Sequence, residues 1–159
     1  MVQNVYSGRT VINSKMRILL TDAHSYMTLA CLKSFDRCGL QVVVAGASRR
    51  DIAFHSNSAR HRFVYVSPRA SVPRFLEGLA QAVKRYRVDV IIPISEVSLL
   101  ALAGVDRIAN ARVHAPDSKL LGLFLSKYKT LRVAMRLGVD VPQTVIVRSG
   151  EDPVEKAER

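Results

Sequence analysis

Two short polar segments stand directly after apolar runs that have the length of a β-strand. The first contains Asp22, His24 and Ser25, and the second contains Ser95 and Glu96. Carboxylate, imidazole and hydroxyl groups at such positions can bind a polar substrate, orient it or exchange a proton with it. In an open parallel sheet, ligands bind beyond the carboxyl ends of the strands, near the point where the strand order reverses. We therefore predict that these five residues contact a small-molecule substrate.

A strand–helix–strand unit positions the first polar segment. The apolar run 17–21 predicts a strand, and apolar residues at helical spacing over 26–38 predict an amphipathic helix. Gly39 marks the end of that helix, because a left-handed residue is least costly there without a β-carbon. The run 42–45 has no polar face, so it predicts a strand covered on both sides, as in a parallel sheet. The helix residues expected to face inward are Met27, Ala30, Cys31, Leu32, Phe35 and Cys38.

The rest of the chain continues the alternation of strands and helices. The predicted elements are an edge strand at 62–66, a helix at 71–86, a central strand at 88–94, a helix at 97–103, a strand at 112–115, helices at 117–124 and 127–137, a strand at 141–147 and a helix start at 151–159. Segment 48–60 is expected to be irregular, with one helical turn at most. This order predicts an α/β fold with an open, three-layer, Rossmann-like sheet that is mostly parallel.

The chain is strongly basic. Its 159 residues include 24 lysines and arginines against 13 acidic residues, a net charge of +11. The basic residues are scattered, and the aromatic residues fall on predicted core faces, so a nucleic acid is not the expected partner. The favoured interpretation is a solvated basic surface around an anion-handling enzyme, or else a fragment whose acidic partner is missing. Salt-dependent retention on a nucleic-acid column, lost when Arg60 and Arg62 are changed to Ala, would favour nucleic-acid binding instead.

Several classes of protein and site are excluded by what the sequence lacks. No apolar run approaches the roughly 20 residues of a membrane helix, and residues 1–15 lack an apolar signal core. We expect a disordered lead-in at 1–15 and a cytoplasmic protein with no membrane partner. Cys31 and Cys38 lie two helical turns apart, too far for a disulfide, and are predicted to be reduced core residues. His55 and His61 lack a third ligand, so they predict surface histidines and no metal site.

Four segments resemble the amino-terminal portion of the ATP-grasp ligases. They read RILLTDA from Arg17, GLQVVVA from Gly39, VDVIIPISE from Val88 and KYKTLRVAMRLGVDVPQT from Lys127, in the expected order and at suitable distances. The group they resemble is that of the carbamoyl-phosphate synthase large chain, which includes many carboxylate–amine ligases. The resemblance covers residues 15–158 and is carried best by IP-x-SE at a strand end followed by K-x-K-T and A-x-x-x-G-V-x-V-P-x-T.

This resemblance implies a domain organisation and a function. Residues 16–125 would be a preATP-grasp α/β domain, and residues 126–159 the beginning of an ATP-grasp domain. The chain would be the amino-terminal portion of an ATP-dependent carboxylate–amine or thiol-type ligase that acts through an acyl-phosphate. The complete enzyme would use ATP and Mg²⁺. The implied partners are small-molecule carboxylate and amine substrates and the remaining ATP-grasp domain. Whether the chain also forms a homodimer is left open by the sequence.

Few of the functional roles known in this family can be assigned to single residues of this chain. Lys127 matches a lysine that follows an aspartate in many members, although Ser126 stands in the aspartate's place here. Lys129 matches a position that is basic in the carbamoyl-phosphate synthase group. Either lysine can reach an ATP phosphate as a mobile charge, or both can simply begin a solvated helix. Glu96 likewise has the alternative of a first-turn residue favoured by the helix dipole.

No residue is assigned a catalytic or metal-binding role. The family's later glycine-rich loop, strand lysine and paired Glu/Asn ligands are not found in the chain. We therefore expect this polypeptide to form one wall of an active site and to be catalytically incomplete by itself. The alternative that remains open is a stand-alone Rossmann-like module that binds a small ligand.

Overall fold

The computed structural model describes residues 16–150 and Asp152. The predicted lead-in at 1–15 lies outside the described residues, as does nearly all of the helix start predicted at 151–159. The chain divides into two compact units after Ser118. In chain order the elements are β1 (Arg17–Leu20), α1 (Tyr26–Arg37), β2 (Gln41–Gly46), a 3₁₀ helix (Ile52–His55), β3 (His61–Val64), α2 (Val72–Tyr86), β4 (Val90–Ile92), α3 (Glu96–Ala101), β5 (Arg107–Ile108), β6 (Ala111–Val113), α4 (Ser118–Phe124) and α5 (Lys127–Arg136).

Six strands form one sheet in the order β3-β2-β1-β4-β6-β5. Every neighbouring pair is parallel except β5 with β6. The predicted α/β class and mostly parallel sheet are therefore confirmed, with β3 at an edge and β4 inside the sheet. Strand β5 was not predicted, because two residues are too few to show a periodic pattern in the sequence. The strand order reverses between β1 and β4, since the chain builds β2 and β3 on one side of β1 and then returns to the other side.

Apolar clusters cover both faces of the sheet, and β1 contributes to both. Leu19 packs with Phe75 and Leu79 of α2, in what we call the α2-side cluster. Ile18 and Leu20 point the other way and pack with Leu32 of α1, in the α1-side cluster. Burial on both faces explains why β1 and β2 carry no polar alternation.

The buried face of α1 differs from the predicted one. Thr28 and Leu32 are its buried residues, whereas Met27 is 60% exposed. The Thr28 hydroxyl donates to the carbonyl oxygens of Thr21 at 2.9 Å and Asp22 at 2.8 Å. These two bonds turn the Thr28 side of the helix toward the sheet, and so the predicted inward positions of Met27 and of Ala30, which is also exposed, are wrong.

The two cysteines have different environments. Both are free, as predicted, and Cys31 packs partly buried against the α1-side cluster. Cys38 is exposed because it is the C-cap residue of α1, so its predicted core position is wrong. His55 and His61 are exposed, as the sequence predicted. Within residues 16–150, no helix has both the length and the apolar character needed to cross a bilayer.

The second unit contains most of α4 and all of α5. The sequence predicted an inward apolar stripe on α5, but none of its residues is buried, and Met135 is 59% exposed. Residues 141–147 form no strand, which corrects the prediction made for them. A strand requires a neighbour for its backbone hydrogen bonds, and the described residues of this unit include no other strand.

Candidate functional site

A small cavity lies beyond the carboxyl ends of β1 and β4, where the strand order reverses. We call it the switch-point cavity; its volume is about 100 Å³, and it is lined by Asp22, His24, Ala47, Tyr65, Ser67, Pro68, Arg69, Ser95 and Val97. Adjacent parallel strands end at the same edge of a sheet, and so the two polar segments singled out in the sequence meet here.

The Asp22 carboxylate is the most highly connected group in this cavity. Its Oδ2 accepts hydrogen bonds from the Thr21 hydroxyl at 2.5 Å and from the backbone N–H groups of Ser95 at 2.9 Å and Ile94 at 3.3 Å. Its Oδ1 accepts a hydrogen bond from the Ser98 hydroxyl at 2.8 Å. Asp22 is only 3% exposed, so these donors replace the water that a charged carboxylate loses on burial.

Tyr65, which directly follows β3, completes this network. Its hydroxyl donates to Asp22 Oδ1 at 3.4 Å and accepts the backbone N–H of Asp22 at 2.9 Å. Asp22 has a φ of 60°, in the left-handed region that few non-glycine residues adopt. Tyr65 therefore helps to hold Asp22 in a backbone conformation that aims its carboxylate at the β4–α3 corner.

Hydrogen bonds and burial shift two pKa values in opposite directions. Burial alone raises the pKa of the Asp22 carboxyl, but donation from Thr21, Ser95 and Ser98 outweighs burial and lowers that pKa below its ordinary value. Burial raises the pKa of the Tyr65 phenol, and the nearby Asp22 charge raises it further. Asp22 is therefore an anion and Tyr65 a neutral donor at neutral pH.

Of the other four predicted substrate residues, two line the cavity and two do not. Ser95 and the exposed His24 line the cavity with Asp22. Ser25 is the N-cap of α1, where its hydroxyl accepts the N–H of Met27 at 3.1 Å, and it does not line the cavity. Glu96 is exposed in the first turn of α3 and does not line the cavity either.

Sequence reasoning missed several residues of this site, among them Tyr65, Arg69 and Ser98. Tyr65 and Arg69 lie after β3, and Ser98 lies on the first turn of α3. The available signal was the position of Tyr65 and Arg69 after the end of a parallel strand, which is where Asp22 and Ser95 stand. Arg69 is exposed, so it brings a cation to the mouth of the cavity.

The two predicted ATP-binding lysines lie in the second unit. Lys127 and Lys129 are exposed in the first turn of α5, after the N-cap residue Ser126. Lys129 lines a cavity of about 180 Å³ together with Arg132 and Arg136. Lys127 does not line that cavity, so the structure groups only one of the two lysines with other cations.

Among the described residues, no three His, Cys, Asp or Glu side chains are arranged to hold a metal ion.

No protein-family model matches the chain, and no curated protein sequence matches it significantly. Solved structures do match. The biotin carboxylase domain of a single-chain bacterial carboxylase is 19% identical, with a TM-score of 0.54 over 91% of this chain and 33% of that chain. Glycinamide-RNase-transformylase T from Mycobacterium tuberculosis is 16% identical, with a TM-score of 0.57 over 80% of this chain and 37% of that one.

N5-carboxyaminoimidazole ribonucleotide synthetase from Thermotoga maritima is similar to the same extent. It is 16% identical, with a TM-score of 0.53 over 84% of this chain and 34% of that chain. The chain thus spans only about a third of the length of these proteins. At such identities the likeness establishes the fold. The chain has the fold of the amino-terminal, preATP-grasp-like region of ATP-grasp enzymes, which confirms the predicted resemblance and fold class.

Proposed function

We propose that this chain is the amino-terminal portion of an ATP-dependent ligase that joins a carboxylate to an amine or thiol through an acyl-phosphate. In this proposal, residues 16–125 are the preATP-grasp domain and form one wall of the active site. Residues from 126 onward begin the ATP-grasp domain, and the 159-residue chain is inactive alone. The observation that carries the proposal is the switch-point cavity, because it combines polar groups from three strand ends at the edge where α/β sheets bind ligands.

The residues of the cavity have separate roles in this proposal. His24 and Arg69 present a ring nitrogen and a guanidinium to a small polar substrate. Ser95 lines the cavity beside them, and its hydroxyl caps α3 by accepting the N–H of Ser98 at 3.3 Å. Arg69 would pair with a carboxylate or phosphate of that substrate, since a guanidinium forms two parallel hydrogen bonds with either group. Asp22 would not contact the substrate, because its oxygens already accept hydrogen bonds from within the protein. Its role would be to hold in place the strand ends that form this wall of the active site.

The second unit would contribute to ATP binding. Lys129, Arg132 and Arg136 give one face of α5 three positive charges, which suits the phosphates of a nucleotide. When bound in the complete enzyme, ATP and Mg²⁺ would supply the phosphoryl group and neutralise its charge. The ligands for that metal would come from outside the described residues.

Binding of substrate-like molecules to the 159-residue chain tests this proposal directly. We expect small carboxylates or amines to shift the backbone NMR signals of His24, Ser95 and Arg69. The variant Arg69→Ala should lose the response to carboxylates, and Arg74→Ala should keep it, because Arg74 is an exposed arginine outside the cavity. Shifts confined to residues elsewhere would overturn the assignment of the site.

Titration with ATP and Mg²⁺ tests whether the 159-residue chain lacks part of the catalytic site. We expect weak ATP binding or none at the cavity lined by Lys129, Arg132 and Arg136, and no hydrolysis. Tight, metal-dependent binding with turnover by these 159 residues would contradict the proposal.

The coding sequence beyond Arg159 separates this function from the alternative of a stand-alone small-ligand module. A ligase requires a glycine-rich loop, a strand lysine and paired Glu/Asn residues downstream. The module requires none of these, and the same cavity would then serve as its ligand site.

A further inference from the structure

A second cavity runs beside the edge strand β3, away from the switch-point cavity. We call it the β3-edge groove; its volume is about 760 Å³, and it is lined by Arg49, Phe54, His55, Arg62, Phe63, Val64 and Arg85. None of these residues lines the switch-point cavity. The volume lies within the range of about 300–1,000 Å³ found for small-molecule sites.

The charges of the groove are uniformly positive. Arg49, Arg62 and Arg85 are exposed, and His55 stands beside them. In the described part of the chain, no carboxylate lies within salt-bridge distance of the three groove arginines, whereas the nearby Arg60 pairs with Asp36. Three guanidinium groups that share one groove without an anionic partner repel one another. An anionic ligand would relieve that repulsion.

Two of these arginines are held in place by the surrounding fold. The Nε of Arg62 donates to the carbonyl oxygen of Phe54 at 2.6 Å, which fixes the plane of the guanidinium and leaves its two terminal nitrogens for a ligand. The guanidinium of Arg85 lies 5.3 Å from the centre of the Tyr86 ring. The Tyr86 hydroxyl donates to the backbone carbonyl oxygen of Arg62 at 3.1 Å, so Tyr86 contacts the main chain of one groove arginine and the side chain of the other.

We propose that the β3-edge groove binds a small polyanion that carries two or more linked phosphate groups. Planar guanidinium forks match phosphate oxygens in pairs, and arginines contributed by three separate segments suit a ligand with more than one phosphate. This groove shares no lining residue with the switch-point cavity or with the cavity lined by Lys129, and the proposal does not depend on whether the chain belongs to a ligase.

The aromatic residues of the groove favour a small ligand over a nucleic-acid strand. Strand binding relies on exposed rings on which successive bases stack. Phe54 is only 6% exposed, and Phe63 packs partly buried against the α2-side cluster. The groove therefore offers charge without a stacking platform.

Calorimetric titration of the 159-residue chain with inorganic tripolyphosphate tests the proposal. We expect binding at the groove that weakens roughly tenfold or more in Arg62→Ala and in Arg85→Ala, as loss of a hydrogen bond to a charged group predicts. Arg62→Lys should fall between the parent and Arg62→Ala, because it keeps the charge and loses the fork. Circular dichroism and thermal unfolding establish that each variant remains folded.

Two control variants test whether tripolyphosphate binds at the β3-edge groove and not elsewhere on the chain. Arg74→Ala removes an exposed arginine from the opposite end of α2, and Arg107→Ala removes an exposed arginine from β5, at the opposite edge of the sheet. Both should bind tripolyphosphate as the parent does. Unchanged binding in Arg62→Ala, or loss of binding in Arg107→Ala, would overturn the proposal. Binding of a single-stranded oligonucleotide without binding of tripolyphosphate would overturn it as well.

Discussion

The Asp22 carboxylate joins three segments that are far apart in the sequence. Hydrogen bonds reach it from Tyr65 after β3 and from Ser95 and Ser98 at the start of α3, and it follows β1 itself. Each donor satisfies part of a buried charge, and the charge in turn satisfies each buried donor. At the scale of a single residue, the site therefore depends on one anion whose role is to hold strand ends together.

Replacement of this anion by its neutral isostere should destabilise the fold. In Asp22→Asn the amide NH₂ would face the donors that now bond to a carboxylate oxygen, leaving buried N–H and O–H groups unpaired. We expect a loss of about 2–4 kcal/mol in the free energy of unfolding, measured by urea denaturation. Asp36→Asn is the matched control, because Asp36 has one surface ion pair with Arg60, and its loss should cost at most about 0.5–1 kcal/mol. Equal effects of the two changes would contradict the assignment.

The lowered pKa of Asp22 predicts a pH dependence of stability. The unfolded carboxyl binds a proton more readily than the folded one, so the stabilisation from Asp22 is present above about pH 4 and is lost as the pH falls through the folded pKa. We expect the melting temperatures of the parent and Asp22→Asn to converge as the pH is lowered below about 4. A gap that stays constant over that range would show that the charge is not what stabilises the corner.

The carboxyl end of β2 approaches the segment after β1 very closely. The N–H of Ala53 donates to the carbonyl oxygen of Ala23 at 2.9 Å, and the N–H of Ala23 donates to that of Ala45 at 3.1 Å. A β-carbon added at Gly46 would collide with the Asp51 carboxylate and lie 2.6 Å from the β-carbon of Ala23. At the scale of elements, packing beside the switch-point cavity therefore requires a residue without a side chain at this strand end.

Gly46→Ala should accordingly destabilise the protein. Asp51 and the corner at Ala23 would have to shift, at a cost of about 1–3 kcal/mol in the free energy of unfolding. Gly122→Ala is the contrasting control, because Gly122 lies within α4 and an added β-carbon there meets nothing within 4 Å. That change should stabilise α4 by about 0.5–1 kcal/mol. Thermal unfolding measures both, and a neutral Gly46→Ala would contradict the close approach.

The chain divides into two units, and both apolar clusters of the described residues lie in the first. The α2-side and α1-side clusters draw all their residues from positions 16–115. The second unit, in contrast, exposes large apolar side chains, including Met135, Leu137 and Val139. Burial of apolar surface contributes most of the free energy that favours folding, so the first unit carries the stability of the described chain.

A chain that ends after Ser118 should therefore fold by itself. We expect a cooperative thermal transition within about 4–8 °C of the full chain, which corresponds to a change of roughly 1 kcal/mol. A chain that ends after Ala101 is the control, because it lacks Leu102, Ile108 and Val113 of the α2-side cluster. It should show no cooperative transition. Absence of such a transition in the longer chain as well would show that the second unit is required for folding.

The local pattern of the sequence was enough to predict most elements and the edge at which the site lies. The continuous apolar runs that became β1 and β2 indicate strands buried on both faces, and Gly39 ends α1 with a φ of 73°. The polar segments at Asp22 and Ser95 follow their strands directly, and parallel strands end at a common edge. The strand predicted at 141–147 is absent. The residue types there suit a strand, but the described residues of the second unit provide no other strand with which 141–147 could pair.

The order of the strands in the folded sheet, rather than the local pattern, selects the residues that share a site. Periodicity and turn residues act over a few positions, and so they specify the α/β alternation and the two polar strand ends. They do not specify that Tyr65, Ser98 and Arg69 join Asp22, or that three arginines share the β3-edge groove, because sheet order brings together residues from distant segments. Burial, which turns Asp22 from a solvated carboxylate into a structural anion, likewise exists only once the strands have packed.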